Sequence, residues 1–349
     1  MNFCSDNVTE VCPEIMAALI AANEGAMMPY GGDEYTQRLE AKFSSIFETP
    51  VTVFPVATGS TANALTLSAI APSYGAIYCH SESHINVDEC GAPEFYTGGA
   101  KLVTLNGTDA QINPSELSKT LEKAGAGVVH HVQPAAVSIT QATEAGTVYL
   151  PEEIGEIAKI THAHNLHLHI DGARFANAVV SLDCAPADIT WRAGVDVLSF
   201  GATKNGAMAA EAAIFFNQDL AKTFAYRRKR SGNLFSKMRY LSCQLEAYIT
   251  DDLWLKNAFH ANQMATRLAQ GLVDLPLVKL CHPVEANEVF AEIPKYVVNG
   301  LRGDGFQFYV WEEGAFPVIR LVTAFNTKKE DVDALLKSIQ RHLRVNLIE

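Results

Sequence analysis

Between Val51 and Phe216, short runs rich in β-branched and aromatic residues alternate with stretches of helical periodicity. This alternation predicts an α/β fold with a mostly parallel seven-stranded sheet covered by helices on both faces, because parallel strands need long crossover connections. The predicted helices include Ser60–Ile70, Pro114–Lys123 and Pro151–His164. The predicted strands are Val51–Val56, Ala76–Cys79, Lys101–Leu105, Val137–Thr140, Leu166–Ile170, Val195–Phe200 and Ala212–Phe216.

The pattern changes after Phe216, which indicates a second, smaller α+β domain. Three long helices come first, followed by a short alternating unit that a final helix closes. We therefore predict that residues 1–262 form an N-terminal segment and the large α/β domain, and that residues 263–349 form the small domain. The helices are Gln218–Arg230, Phe235–Ile249, Trp254–Leu272 and Lys328–Leu343, and the strands are Val289–Ile293, Phe306–Trp311 and Ile319–Ala324.

Charge and cysteine content exclude several classes of protein. The chain has 39 acidic and 27 basic side chains, a formal charge of −12, which argues against a nucleic-acid partner. No apolar run is long enough to span a bilayer and no secretory signal is visible, so we expect a cytoplasmic protein without a membrane partner. The seven cysteines are scattered without a C-x-x-C pair, which favours neither disulfides nor a thiolate metal site.

Three short segments combine residues that can carry chemistry. Lys204 follows the strand Val195–Phe200 and a run of small residues, which can present an amine at the end of a strand. Asp171 ends the strand before it, at the edge where open α/β sheets bind ligands, although an isolated aspartate there can also cap a helix. Gly59 and Ser60 open a helix directly after a strand, where free backbone N–H groups bind phosphate.

The order of these segments resembles the fold-type-I pyridoxal-phosphate enzymes. Further motifs make the chain similar to the threonine aldolase and β-eliminating lyase group over nearly its whole length. These motifs are Phe3-Cys4-Ser5-Asp6-Asn7, Tyr30-Gly31-Gly32-Asp33, Ser83-His84-Ile85, Asp171-Gly172-Ala173-Arg174 with Asn177, and Arg320-Leu321-Val322-Thr323.

The resemblance implies a cofactor and a set of site residues. Lys204 would carry pyridoxal 5′-phosphate as a Schiff base, and Asp171 would hold the pyridine nitrogen. Gly59 and Ser60 would bind the phosphate. His84 would stack on the ring and serve as a base. The remaining implied residues are Ser5, Arg174 and Arg320 on the substrate carboxylate, Arg174 also beside the cofactor, Tyr30 at the edge of the site, and Arg239 on the phosphate of a second subunit.

The implied activity is retro-aldol cleavage of L-threonine, L-allo-threonine and related β-hydroxy-α-amino acids to glycine and an aldehyde. The implied assembly is a homodimer or homotetramer. The chain departs from the family pattern at Glu144, which stands where many relatives have a second histidine. Next to the two proposed carboxylate-binding arginines, this glutamate is expected to stay ionised, because opposite charge lowers the pKa of a carboxyl group. The glycine run before Arg239 is replaced by Asn233-Leu234-Phe235-Ser236-Lys237.

Three other functions are compatible with these residues. Transamination, β-elimination and racemisation use the same lysine, aspartate and phosphate site, so the residues alone do not separate them. A metal-binding protein could use the histidines of His162-x-His164-x-x-His167-x-His169, two of which alternate onto one sheet face. No cysteine or acid completes that set, and we predict no metal. A protein that keeps the fold without the cofactor is the third alternative, against which Lys204, Asp171 and Arg174 argue.

Overall fold

The computed structural model describes residues 1–345 and is built on a seven-stranded sheet. The strand order is β1-β7-β6-β5-β4-β2-β3, and β7 alone runs antiparallel to its neighbours. The predicted mostly parallel sheet is therefore confirmed. Its strands are β1 Thr52–Val56, β2 Gly75–His80, β3 Lys101–Leu105, β4 Gln133–Thr140, β5 His167–Gly172, β6 Val197–Gly201 and β7 Glu211–Phe215.

Helices cover this sheet and pack on its apolar side chains. The helices α3 Gly59–Ile70 and α7 Pro151–Ala163 confirm predicted elements, and α6 Pro114–Glu122 begins where its prediction does. The helices α1 Pro13–Ala22 and α2 Glu34–Ile46 each pack against α11 Arg239–Ile249. The other helices of this part are α4 His84–Val87, α5 Ala92–Thr97, α8 Phe175–Leu182, α9 Gln218–Ala221, α10 Phe224–Arg230 and α12 Leu253–Val273.

A second, four-stranded sheet of order β10-β11-β9-β8 is antiparallel throughout. Its apolar face packs on α12 and the last two helices in a separate buried cluster. Phe3, from the other end of the chain, is 1% exposed and belongs to the same cluster. The elements are β8 Lys279–Leu280, β9 Glu288–Glu292, β10 Tyr309–Glu312, β11 Val318–Val322, α13 Lys295–Gly303 and α14 Lys329–Val345.

Several element boundaries differ from the sequence prediction. The stretch Gln218–Arg230 is divided into α9 and α10, and the break lets Phe224 turn inward onto Phe54 and Phe215, with ring centroids 4.6 and 5.2 Å away. The stretch Phe235–Ile249 becomes helical only at Arg239. The helix α12 runs without interruption through residues 262 and 263. The domain boundary there stays a prediction.

The parallel strands bring the predicted site residues to one edge of the sheet. Asp171 lies near the carboxyl end of β5, and β6 ends at Gly201, just before the 3₁₀ turn Thr203–Asn205 that carries Lys204. The strand β1 leads into α3 at the same edge, since β1 is parallel to β6. Within residues 1–345, no helix has both the length and the apolar composition needed to cross a membrane.

Candidate active site

A cavity of about 390 Å³ opens at this edge of the sheet and is lined by residues of the three segments around Gly59, Asp171 and Lys204. Six residues singled out from the sequence meet there, namely Gly59, Ser60, His84, Glu144, Asp171 and Lys204. Sequence reasoning missed others that line it, among them Asn63, Glu89, Thr203 and Glu211. The cavity therefore joins the proposed lysine, aspartate and phosphate site in one space.

The N-terminus of α3 forms one end of the cavity. Thr58 caps the helix, and its Oγ1 atom accepts a hydrogen bond from the Thr61 amide at 3.2 Å. The amides of the first helical turn have no partner within a helix, so they can bind an anion together with the Ser60 hydroxyl. A Cβ atom built on Gly59 would meet nothing within 4 Å, which shows open space beside this backbone.

Asp171 is 3% exposed, and the hydrogen bonds of its carboxylate fix its orientation. Its Oδ2 atom accepts from Nδ2 of Asn63 at 2.8 Å, and its Oδ1 atom accepts from the Ala173 amide at 3.0 Å. A buried carboxylate held in this way can accept a further hydrogen bond from a donor in the cavity, such as a protonated ring nitrogen. Asn63 lies one turn into α3, four residues after Gly59, and nothing in the sequence predicts that its side chain contacts Asp171.

Lys204 lies on a rigid turn while its own amine has no partner. Asn205, next in the chain, donates from Nδ2 to the Tyr248 hydroxyl at 2.7 Å and to the Trp254 carbonyl at 2.8 Å. The Ala202 amide donates to Oε2 of Glu211 at 2.9 Å. Among residues 1–344, whose side chains are described, none accepts a hydrogen bond from the Lys204 amine. The turn therefore presents a free amine to the cavity.

Glu211 is a buried carboxyl group beside this lysine. It is the one charged residue of the otherwise apolar strand Glu211–Phe215, and that contrast is the signal that could have found it. Burial raises its pKa to about 7, although Thr203 and Lys204 act in the opposite direction. A buried carboxyl group with a raised pKa in a cavity is a candidate functional group, and Glu211 is such a group.

The structure shows that the prediction of an ionised Glu144 is wrong in direction. Burial raises the pKa of Glu144 to about 7, and Lys204 and Arg174 offset this only in part. The nearby carboxylates of Glu288 and Asp171 raise it further. Desolvation outweighs the attraction from Arg174, which is itself paired with Asp6 and Glu288. Glu144 therefore exchanges a proton near neutrality and can act either as an acid or as a base.

The two arginines proposed for the substrate carboxylate differ in how free they are. Arg174 donates from Nε and NH2 to Asp6 at 2.8 and 3.0 Å, and its NH1 lies 3.2 Å from Oε2 of Glu288. Arg320 lies farther from Glu288, at 3.8 Å, and donates only to the Cys4 carbonyl, at 3.3 Å. The buried Nε of Arg320 has no partner among the described residues. Arg320 is thus better able to bind an incoming carboxylate.

Five predicted residues do not line this cavity, namely Arg174, Arg320, Ser5, Tyr30 and Arg239. The hydroxyl of Ser5 caps a short 3₁₀ turn by accepting from the Asn7 amide at 3.1 Å, and Asn7 reaches the cavity instead. Tyr30 is half exposed and lines an adjacent groove of about 700 Å³. Arg239 donates to the Gly25 carbonyl at 3.0 Å and lies over the ring of Tyr240. The proposed roles of these residues stay predictions.

The histidine-rich segment does not form a metal site. His162 and His167 both lie near one carboxylate oxygen of Asp196, at 3.1 and 3.8 Å. His169 is buried, and both of its ring nitrogens bond to serine hydroxyls, of Ser138 at 2.8 Å and of Ser199 at 2.9 Å. In the described part of the chain, the group with metal-ligand spacing is instead His84, Glu89 and Asp171, which lines the cavity.

Comparison with known proteins decides the family. The family model of β-eliminating lyases matches residues 2–295. The chain belongs to the β-eliminating lyase family. It is 42% identical to a low-specificity L-threonine aldolase of Pseudomonas aeruginosa over 97% of both chains. A second such enzyme, from Pseudomonas sp., is 43% identical over 89% of each chain.

Solved structures of this family agree with the fold. A threonine aldolase of Leishmania major superposes with a TM-score of 0.92 and 28% identity, over 98% of this chain and 99% of that one. A protein of Exiguobacterium described as a putative aromatic amino acid β-eliminating lyase/threonine aldolase gives a TM-score of 0.73 at 17% identity, which supports the fold alone. The predicted resemblance, the fold class and the prediction of an enzyme are confirmed.

The family consists of pyridoxal-phosphate enzymes, and the residues of the cavity fit that cofactor. The free amine of Lys204 matches its aldehyde, and the buried Asp171 carboxylate matches its ring nitrogen. The open space at Gly59, next to the amides that begin α3, matches its phosphate. One cavity thus contains an amine, a carboxylate and an anion site that match three groups of the cofactor used by this family.

Proposed function

We propose that this chain is a pyridoxal-phosphate-dependent threonine aldolase, which cleaves L-threonine, L-allo-threonine and related β-hydroxy-α-amino acids to glycine and an aldehyde. The observation that carries the proposal is that Asp171, near the end of β5, and Lys204, just after the neighbouring β6, line one cavity with the N-terminus of α3. The identity of 42% to an enzyme of that name over nearly the whole chain supports the same activity.

The residues of the cavity would divide the work of binding the cofactor. Lys204 would hold it covalently, Asp171 would keep its ring nitrogen protonated, and the amides and hydroxyl at Gly59 and Ser60 would bind its phosphate. When bound, the cofactor supplies an electron sink for the charge that develops at Cα of the amino acid. His84 lines the same cavity and would lie against the ring.

The arginines would select the bond that breaks. Arg320 would bind the substrate carboxylate through its free Nε, while Arg174, held by Asp6, would support it. A carboxylate fixed in this way sets the rotation about Cα, so that Cα–Cβ rather than Cα–H aligns with the electron sink. The hydroxyl of Ser5 would complete this contact. His84 would take the proton of the β-hydroxyl, a step that typically contributes about 10²–10⁴-fold.

The proposed assembly is a homodimer or homotetramer in the cytoplasm. Arg239 and Tyr30 support a shared site, because both lie outside the cavity of their own chain, and Tyr30 lines a groove that shares Met208 and Ala209 with it. In such an assembly they would reach the cofactor phosphate and the edge of the site of a second subunit.

β-Elimination, transamination and racemisation are the alternatives, and the relatives favour aldol cleavage over them. The test is an absorption spectrum of the purified protein with and without glycine, followed by product analysis with L-threonine. We expect a visible cofactor band that glycine shifts, and equal amounts of glycine and acetaldehyde. Formation of ammonia and a 2-oxo acid would assign β-elimination, a 2-oxo acid without ammonia would assign transamination, and D-allo-threonine would assign racemisation.

A further inference from the structure

Three hydrogen bonds join His84 to Asp171 along the wall of the cavity. The Nδ1 atom of His84 lies 2.8 Å from Oε1 of Glu89. The same oxygen accepts from Nδ2 of Asn63 at 2.8 Å, and that Nδ2 also donates to Oδ2 of Asp171 at 2.8 Å. All four side chains line the cavity, so the two residues proposed to contact the cofactor ring are linked through Glu89 and Asn63.

The chemistry of the partners fixes the direction of these bonds. An ionised carboxylate only accepts hydrogen bonds, so an amide between two carboxylates must turn its NH₂ group to both. For the same reason His84 must donate from Nδ1 to Glu89. The neutral imidazole then carries its proton on Nδ1 and leaves the lone pair of Nε2 free.

The surroundings of Glu89 indicate that its carboxylate serves His84. The side chain has no exposed surface, and its second oxygen has no partner among the described residues. Burying a charge without an opposite charge is unfavourable, and His84 is the partner that can become positive. The bond to Glu89 raises the pKa of His84, whereas burial raises that of Glu89.

We propose that Glu89 is a positioning residue, which holds the proton of His84 on Nδ1 and thereby makes Nε2 the atom that accepts the β-hydroxyl proton. As Nε2 takes that proton, the O–H electron pair becomes the carbonyl bond of the departing aldehyde. The electron pair of the Cα–Cβ bond stays on Cα. The positive charge of His84 is balanced by Glu89 at 2.8 Å. The proton transfer in this inference rests on the proposed function, whereas the tautomer of His84 does not depend on it.

Asn63 has a separate part in the arrangement. An amide does not pass protons on, so no proton moves between His84 and Asp171 through it. It separates two carboxylates that would otherwise repel each other, because each accepts one of its N–H groups. Each carboxylate thereby receives one hydrogen bond from the amide and can accept a further one, Asp171 from the ring nitrogen and Glu89 from His84.

Nitrogen NMR of the histidine-labelled holoenzyme tests the proposal without any substrate. The His84 signals are assigned by their loss in His84→Phe. We expect the Nδ1-protonated tautomer in the wild type. Glu89→Ala, which removes the acceptor, should lose that preference, and Glu89→Gln, which keeps an acceptor without charge, should lower the pKa of His84. Glu82→Gln is the matched control, because Glu82 is an exposed carboxylate two residues from His84.

Kinetics with L-threonine provide the second readout. We expect Glu89→Gln to lower kcat by about 10²-fold and to leave KM nearly unchanged, as for a residue that acts on the transferred proton. Cofactor absorbance and circular dichroism establish that each variant is folded. If one of the two Glu89 variants does not fold, the other variant is used for the test. An unchanged His84 pKa and tautomer in a folded Glu89 variant overturn the proposal. If the wild type cleaves no threonine, the proposed function fails, while the NMR result still decides the role of Glu89.

Discussion

Arg174 and Asp6 form a bidentate ion pair in which both side chains are buried, with N–O distances of 2.8 and 3.0 Å. The pair joins the N-terminal segment to the loop after β5, which lies 168 residues farther along the chain. Asn287 donates to the same aspartate at 3.1 Å and to the Thr323 carbonyl at 2.7 Å. The ion pair thus holds the N-terminal segment against the loop after β5, and Asn287 connects the same aspartate to the antiparallel sheet.

Asp6→Asn should destabilise the protein. Removing one partner of a buried ion pair costs about 3–5 kcal/mol, and here it takes away the bidentate partner of Arg174 and leaves Glu288 to balance its charge. Burial raises the pKa of Asp6, but Arg174 and Lys204 together lower it below its usual value. The stabilisation is therefore present above about pH 4 and is lost as the pH falls further. Urea unfolding at pH 7 measures the loss, and Asp274→Asn, on the surface, should cause none. Equal stability of the two variants would contradict the account.

Arg320→Ala should weaken amino-acid binding, whereas Arg174→Ala should mainly reduce stability. Arg320 has a free Nε, so its loss should weaken amino-acid binding by about 1.5–3 kcal/mol while the cofactor stays bound. Loss of Arg174 leaves Asp6 and Glu288 unpaired, so the main effect should be on stability. Titration of the cofactor band with glycine, together with thermal unfolding, separates the two effects. Unchanged glycine affinity in Arg320→Ala would remove Arg320 from the carboxylate site.

Lys204→Ala should abolish the covalent attachment of the cofactor and the activity. The fold should survive, because the turn is held by Asn205 and Glu211 rather than by the lysine itself. Reduction with borohydride followed by peptide mapping shows which lysine carries the cofactor. Lys237→Ala is the control, since Lys237 lines the neighbouring groove instead. A reduced lysine adduct that persists in Lys204→Ala would place the cofactor on another residue.

Most of the fold could be predicted from the sequence, because the strands of a parallel sheet are short, apolar and separated by amphipathic helices. The seven strands of the large sheet were all found, with shifts of a few residues at their ends. The break before Phe224 could not be predicted, since it follows from the packing of that ring on Phe54, which is far away in the chain. The two-residue strand β8 is too short to carry a periodic signal.

The site was predictable where chemistry lies in short motifs and not where it depends on distant partners. The cavity contains Lys204, Asp171 and Gly59 as expected, because each follows a parallel strand and such strands end at one edge. Glu89 lies only five residues after His84 but belongs to no recognisable motif, and Glu288 is brought to Arg174 by the folded chain alone. Desolvation is likewise invisible in a sequence.

Stability should depend on Glu144 in a way that pH reveals. Burial raises the pKa of Glu144 in the folded protein to about 7, above its value in the unfolded chain. A raised carboxyl pKa means that its contribution to stability is lost as the pH rises from about 5 to about 8. Glu144→Gln, which is never charged, should therefore show a smaller fall in the midpoint of thermal unfolding over that range. A fall as large as in the wild type would show that Glu144 does not titrate there.

The proton of the β-hydroxyl provides the last prediction. His84 and Glu144 both line the cavity, the hydrogen bond to Glu89 raises the pKa of His84, and burial raises the pKa of Glu144 to about 7, so either could accept the proton. His84 is the better base, because Glu89 stabilises its charged form through a direct hydrogen bond, whereas the charged form of Glu144 is disfavoured by burial. We therefore expect His84→Phe, which keeps an aromatic ring, to lose at least about 10²-fold in kcat.

Glu144→Gln keeps the shape of the side chain and should lose far less kcat than His84→Phe. It should also remove one titration near pH 7 from the pH profile of kcat/KM, because the carboxyl of Glu144 ionises there. Both variants must retain the cofactor band for the comparison to be valid. A larger loss in Glu144→Gln than in His84→Phe would assign the base to Glu144, and His84 would then be left with contact to the cofactor ring.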